Sequence, residues 1–258
     1  MTVQKSAASV SFAHDLFAGQ RVLVSGGSSG IGLEIARGFR DLGAHVVATG
    51  SSQHKLTHER IEASNAGIVF AHADLRDHEG TERLIANFDR LDVLVNAAGI
   101  ARPDAEFELA VFEDVVDINL TATMRTAMAA REHLIATGGS IINFASMLSF
   151  LADASVPAYT ASKTGLMGLT RALAHAFGPE GVRVNAIAPG YHKTDMTKPL
   201  WSQAHNHDVI ARHAALKRWG TTSDLVGATV FLASPAAQFI TGVCLPVDGG
   251  YSVGAATG

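Results

Sequence analysis

Tyr159 and Lys163 stand four residues apart in Tyr159-Thr160-Ala161-Ser162-Lys163, thirteen residues after Ser146. On a helix, that spacing puts both side chains on one face. A free phenol has a pKa of about 10, too high for a good base at neutral pH. A neighbouring ammonium favours the phenolate and lowers that value. Ser146 can donate a hydrogen bond to an oxygen on which charge develops. The three residues can thus move a proton to or from an oxygen.

Far upstream lies Ser25-Gly26-Gly27-Ser28-Ser29-Gly30-Ile31-Gly32. Glycines at this spacing let a backbone turn tightly and approach phosphates, and a helix opened by such a turn offers free N–H groups to an anion. The turn can hold a dinucleotide pyrophosphate. In Asn96-Ala97-Ala98-Gly99 the small residues let a ribose or nicotinamide pass close over a strand end. Asp74, followed by Leu75, can accept a hydrogen bond from an adenine amino group. A dinucleotide beside a Tyr/Lys/Ser set implies hydride transfer between a nicotinamide and a carbonyl or alcohol.

NAD and NADP are told apart at the end of the second strand, where an acid accepts ribose hydroxyls and repels a 2′-phosphate. Here the chain reads Ala48-Thr49-Gly50-Ser51-Ser52, with neither acid nor arginine. Ser51 and Ser52 suit a hydroxyl or a phosphate, so both cofactors stay open.

The elements that position these residues alternate strand and helix, which predicts a parallel sheet covered on both faces. Strands are expected at Arg21–Ser25, His45–Thr49, Ile68–His72, Val93–Asn96, Ser140–Phe144, Val182–Ile187 and Cys244–Val247. Helices are expected at Ile31–Leu42 (stopped by Gly43), Lys55–Ala63, His78–Phe88, Phe112–Ala136, Pro157–Phe177 and Ser223–Leu232, the last with Ser223 as N-cap. Residues 198–216 read as one or two helices within a substrate flap spanning 191–216. Residues 1–16, rich in Ser and Ala at their start, are expected to form a loose extension, and 17–258 one catalytic domain.

The chain has 258 residues, 47% hydrophobic and 17% charged, with net charge −4 and no basic stripe. That disfavours nucleic acid as a partner. One cysteine, Cys244, cannot form an internal disulfide and fits a reducing compartment. No start resembling a secretory signal and no membrane-length apolar run is present, so the expected location is the cytoplasm. Twelve histidines include His54/His58 and His205/His207, but no cysteine or carboxylate cluster accompanies them, and no metal is expected.

Taken together, these residues resemble the short-chain dehydrogenase/reductase family over about Phe17 to Tyr251. The motifs stand in the family's order: the glycine turn, Asp74-Leu75, Asn96-Ala97-Ala98-Gly99, Asn119, Ser146, Tyr159-x-x-x-Lys163, Pro189-Gly190-x-x-x-Thr194 and Val247-Asp248-Gly249-Gly250. Ser25 replaces the family's usual threonine and Ala97 its second asparagine. The resemblance implies a doubly wound Rossmann fold, a seven-stranded parallel sheet of order 3-2-1-4-5-6-7. It implies NAD(H) or NADP(H) as cofactor. Tyr159 would be general acid/base, Lys163 would lower its pKa and hold the nicotinamide ribose, and Ser146 would polarise the substrate oxygen. Asn119 would bend its helix and place a water in a relay with Lys163. Thr194 and the backbone after Pro189-Gly190, His192 included, would bind the carboxamide, and His192 and Lys193 would add positive charge to the cleft.

Finer resemblance in Ile141–Phe150, Val156–Lys163, Arg218-Trp219-Gly220 and Ser223-Asp224-Leu225 is to dehydrogenases of 2-deoxy-D-gluconate, 2-dehydro-3-deoxy-D-gluconate and gluconate, and less closely to 3-oxoacyl-(acyl-carrier-protein) reductases. It implies alcohol/ketone interconversion on a sugar acid. Arg102 follows the strand-four motif, where the substrate cleft should open, and is expected to help hold a substrate carboxylate, since guanidinium pairs well with carboxylate; Ser146 and Tyr191 are expected beside it on the substrate side. The family also implies a homotetramer.

Overall fold

Seven parallel strands pair in the order β3-β2-β1-β4-β5-β6-β7. They are β1 (Arg21–Ser25), β2 (His45–Gly50), β3 (Ile68–His72), β4 (Val93–Asn96), β5 (Ser140–Phe144), β6 (Arg183–Pro189) and β7 (Cys244–Val247). The computed structural model describes residues 11–254. Most of the expected extension over 1–16 lies outside them; within them, Phe12 and Leu16 pack against the core, so packing begins before Phe17. β4 and β5 are buried at every position, as strands covered on both faces must be. The seven-stranded order and the single Rossmann-like domain are those expected.

Helices cover both faces: α1 (Gly30–Asp41), α2 (Gln53–Ile61), α3 (His78–Ala86), α4 (Leu109–Val116), α5 (Ala122–Thr137), α6 (Pro157–Phe177), α7 (Lys198–Trp201), α8 (Ala204–His213) and α9 (Val226–Ala233). α1 buries Leu33, Ile35, Ala36 and Phe39, packed with β1, β2 and α9 in one apolar cluster. Leu134 of α5 and Leu173 and Phe177 of α6 fill the other face against Leu94, Ile141 and Val184. Arg183 of β6 donates to the carbonyls of Leu232 and Ala233 at 2.6 and 3.0 Å. A cation there satisfies carbonyls that a helix end leaves unpaired, and it ties α9 to the sheet.

Two expectations are corrected. The helix expected over Phe112–Ala136 begins at Leu109 and is broken into α4 and α5 by a wide turn, Asp117–Thr121, where Ala122 N–H reaches back five residues to Asp117 O. Such one-turn widenings recur at functional sites. At the start of the last helical segment Thr221, not Ser223, is the cap: its side chain and that of Asp224 form a reciprocal capping box.

In the parallel register Ser25 pairs with Asn96, and Asn96 with Asn143. The loops leaving β1, β4 and β5 therefore emerge side by side. Those loops carry the glycine turn, Ala97-Ala98-Gly99 and Ser146.

Candidate active site

At the C-terminal edge of the sheet a cleft of about 420 Å³ opens over β1, β2 and β4. Its floor is the glycine turn. Gly26 has φ +74°, a region other residues avoid, and a Cβ on it would lie 2.6 Å from Ala98 Cα. A Cβ on Gly32 would lie 2.2 Å from Gly26 O. Only a chain without side chains can close this turn onto β4. Ser29, the N-cap of α1, makes no capping bond, and the first turn holds no acid. The first N–H groups of α1 thus lack a side-chain acceptor and face a cavity, which fits an anionic pyrophosphate.

The cleft collects most of the expected cofactor residues: Gly26, Ser28, Ser29, Gly30, Ile31 and Gly32; Gly50, Ser51 and Ser52; Asp74 and Leu75; Ala97, Ala98 and Gly99; and Thr194 from the flap. Asp74 accepts from Arg76 N–H at 3.0 Å. Lys55, Arg76, Ile100, Ile118 and Met196 also line the cleft and carried no sequence signal. Arg76 is held by Asp114 at 2.8 and 3.0 Å, whereas no ion pair engages Lys55 among the described residues.

Several expected residues face elsewhere. Ser25 is buried just beneath the turn. Asn96 donates from Nδ2 to Asn143 Oδ1 at 3.0 Å and accepts from Thr126 at 2.8 Å; Asn143 donates on to Thr170 of α6. Its amide is spent beneath the cleft holding β4, β5, α5 and α6 in register. Pro189 and Gly190 end β6, with Gly190 packed on Asp248. His192 is buried, with Nδ1 3.1 Å from Gly190 O. Burial pushes its pKa down, so the ring adds no positive charge to the cleft at neutral pH. It lines a second cavity of about 220 Å³ with Tyr191, Arg218 and Asp224. Tyr191 lies between Trp219 and Tyr251, with centroids 5.4 and 5.2 Å away, and burial pushes its hydroxyl up to about 12. Arg102 is exposed, its guanidinium donating, among the described residues, only to Ala101 O at 3.3 Å.

The Tyr/Lys/Ser set lies beside the cleft and does not line it; Lys163 Nζ meets the cleft at Gly99. α6 opens with Pro157 and presents Ala158, Ser162 and Lys163 to the interior. Lys163 Nζ donates to Phe144 O at 2.7 Å and lies 5.6 Å from the Tyr159 ring centroid. A Cβ on Gly99 would lie 3.3 Å from both Lys163 Nζ and Asn119 Oδ1, so the cleft floor touches both. Asn119 is fully buried; Oδ1 accepts from Ile100 N–H at 2.8 Å, and Nδ2 donates to Ile100 O and Ser162 Oγ at 2.9 and 3.1 Å. Ser146 Oγ accepts from Leu148 N–H at 3.1 Å. That bond leaves its own proton to donate.

The ionisation differs from the simple expectation. Burial depresses Lys163 to about 8. Tyr159 is raised above its ordinary value: burial dominates, the Ser146 hydrogen bond opposes it, and the charge of Glu106 adds to it. A desolvated lysine bonded to a carbonyl does not bring this phenol below its ordinary value in the protein alone.

Open sheets of this order bind dinucleotides where the strand order reverses, and a proton-transfer set beside such a crevice defines a dinucleotide-dependent oxidoreductase. The chain belongs to the short-chain dehydrogenase/reductase family, and a family model described as Enoyl-(Acyl carrier protein) reductase matches residues 26–252. It is 39% identical over 241 residues to 2-dehydro-3-deoxy-D-gluconate 5-dehydrogenase of Escherichia coli (strain K12), covering 90% of this chain and 95% of that one. It is 36% identical over 250 residues to gluconate 5-dehydrogenase of Gluconobacter oxydans (strain 621H), covering 93% and 98%. A crystal structure of a gluconate 5-dehydrogenase from Burkholderia cenocepacia J2315 in complex with NADP and tartrate superposes with a TM-score of 0.86 at 33% identity, covering 93% of this chain and 99% of that one. The protein is an NAD(P)-dependent oxidoreductase acting on CH–OH or keto groups. No helix among the described residues is long and apolar enough to cross a membrane.

Proposed function

We propose that the protein interconverts a secondary alcohol and a ketone on a sugar acid, with Tyr159 as general acid/base. The observation that carries this reading is the contact between the two halves of the site: Gly99, on the cleft floor, abuts Lys163 Nζ and Asn119 together. A nicotinamide dinucleotide bound in the cleft supplies or accepts the hydride. Ser146, with its proton free, orients and polarises the substrate oxygen. Tyr159 gives that oxygen a proton in reduction and removes it in oxidation. Lys163 holds the nicotinamide ribose and favours the phenolate once cofactor charge joins it. Asn119 keeps Ile100 and α6 in place and positions a water in a proton relay with Lys163. Thr194 and the backbone from Pro189-Gly190 hold the carboxamide.

The acid-free end of β2 and the exposed Lys55 on the cleft wall favour NADP(H): Ser51, Ser52 and Lys55 hold the 2′-phosphate. Arg102 engages the substrate carboxylate, and Tyr191 bounds the substrate side. The enzyme works in the cytoplasm as a homotetramer; exposed Met124 and Met128 on α5 and Leu245 on β7 support buried partner faces.

The test is turnover of D-gluconate and 2-dehydro-3-deoxy-D-gluconate with both cofactors, in wild type and Tyr159→Phe. Loss of turnover with NADPH binding intact is expected. Turnover that survives the substitution sinks the mechanism, and turnover only of a 3-oxoacyl thioester sinks the substrate class.

A further inference from the structure

One buried carboxylate has no place in that chemistry. Glu106 is 1% exposed, in the short turn Ala105–Phe107 that follows the loop leaving β4. Its Oε1 accepts from Arg102 N–H and its Oε2 from Tyr159 N–H, each at 2.8 Å. A buried carboxylate persists only where such partners compensate its desolvation. The second bond spans 53 residues and reaches the first turn of α6. That helix has no cap of its own: its N-cap is Val156, and Pro157 has no N–H. Glu106 is therefore the N-terminal cap of the helix that carries Tyr159, supplied from the substrate-side loop.

The loop is held there under strain. Asp104 adopts φ +63°, uncommon for a residue other than glycine, and its N–H donates to Ser155 O at 2.8 Å just before α6. Asn119 grips the other end of the loop at Ile100. The charged groups around Tyr159 are few. Lys163 lies one turn along α6. Asp114 and Asp117, from α4 and the wide turn, are committed to Arg76 and Arg125. Asp153 is bonded to Ser155. The Arg102 guanidinium points to Ala101 O.

We propose that Glu106 is a positioning residue that fixes the substrate-side loop to the catalytic helix and, by its charge, holds Tyr159 in the protonated form. A helix N-terminus and a nearby lysine both favour phenolate; a carboxylate on that N-terminus cancels the first and opposes the second. Tyr159 is then poised as a proton donor, the form that ketone reduction needs, and alcohol oxidation requires higher pH. The direction given above for Tyr159 has the same sign.

The inference rests on Tyr159 being the acid/base, but its test needs no turnover. The chain has three tyrosines, Tyr159, Tyr191 and Tyr251. In a Tyr191→Phe/Tyr251→Phe background the near-ultraviolet phenolate absorbance of the cofactor-free protein titrates Tyr159 alone. Glu106→Gln keeps the shape and removes the charge; its midpoint is expected to fall by roughly half to one pH unit, a three- to tenfold larger phenolate fraction at a given pH below the midpoint. Glu106→Asp keeps the charge with a shorter reach and is expected to leave the midpoint in place. An unmoved or raised midpoint in Glu106→Gln overturns the proposal. Equal falls in both variants also overturn it, since they report loosened packing rather than charge. If the Gln variant does not fold, Glu106→Ala takes its place beside the Asp variant: a midpoint that falls in Ala and stays in place in Asp upholds the proposal, and one unmoved in Ala or fallen equally in both overturns it. A failed titration leaves the acid/base reading standing, and surviving turnover in Tyr159→Phe removes that reading without touching the titration.

Discussion

Lys163 is held at a cost that pH should reveal. The residue is 4% exposed, and burial lowers its pKa from 10.5 to about 8. Below pH 8 both folded and unfolded chains carry the proton, and the folded state bears the whole desolvation penalty. That shift of 10.5 − 8 = 2.5 units corresponds to about 3 kcal/mol. Above pH 8 the folded chain releases the proton while the unfolded chain keeps it up to its own pKa. The unfolded state then binds more protons, so this group makes stability rise with pH between about 8 and 10.5. Lys163→Met keeps the length and packing of the side chain and removes the charge. The unfolding free energy of Lys163→Met relative to wild type should fall by about 2–3 kcal/mol from pH 7 to pH 10. The bond to Phe144 O contributes about 1.5–3 kcal/mol, so at pH 7 the variant is expected to be about as stable as wild type or slightly more so. At pH 10 it should be clearly less stable. Urea unfolding of cofactor-free protein, at one protein concentration and both pH values, measures this directly. A gap equal at pH 7 and pH 10 would refute the reasoning, because it would mean that Lys163 binds its proton no more weakly in the fold than in the unfolded chain.

Other perturbations reach the remaining parts of the site. Lys55→Glu should weaken NADPH more than NADH by at least roughly tenfold in Kd, through repulsion of a 2′-phosphate; fluorescence titration with both nucleotides checks it, and equal effects would place the phosphate elsewhere. Gly26→Ala adds a Cβ 2.6 Å from Ala98 Cα at φ +74°; it should abolish nucleotide binding and lower the melting temperature, with left-handed strain alone costing about 1–2 kcal/mol. Asn119→Ala removes the acceptor of the part-buried Ile100 N–H and the donor to Ile100 O, a loss of about 1 kcal/mol or more in chemical denaturation, with kcat falling as Ile100 loosens. Arg102→Ala should raise KM for D-gluconate severalfold with kcat nearly unchanged, and an unchanged KM would remove the carboxylate role.

Much of this architecture is legible in the chain because its signals are local. β4 and β5 are short apolar runs, and the glycine turn is a contiguous stretch whose spacing is its function. The departures all involve partners far away in sequence. The apolar periodicity of Phe112–Ala136 runs on through the break at Asp117–Thr121; only the family resemblance, by which Asn119 bends its helix, points to it, and the extra residue in the turn accompanies bonds from Asn119 to Ile100 and Ser162. Asn96 reads as a cleft residue because it adjoins Ala97 and Ala98, yet alternation along a strand turns its amide the other way, toward Asn143 and Thr126. Burial, which sets the state of His192 and reverses the expected shift at Tyr159, leaves no trace in a motif. Thr221 did carry a usable signal, an acid three residues on at Asp224, against the bare hydroxyl of Ser223.

Glu106 marks the limit of that reading most sharply. In sequence it is one more acid in a polar loop, and α6 looks complete because proline suits a first turn. Only the fold shows that Val156 leaves the helix uncapped and that the cap arrives from the loop after β4. The same contact ties the catalytic helix to the substrate-side loop: two 2.8 Å bonds to one buried carboxylate hold both. The consequence is that one group acts on both geometry and proton affinity at Tyr159, the latter on top of the larger effect of burial. A substitution at Glu106 should therefore change alignment and ionisation together, and only the pair of Gln and Asp variants can separate them.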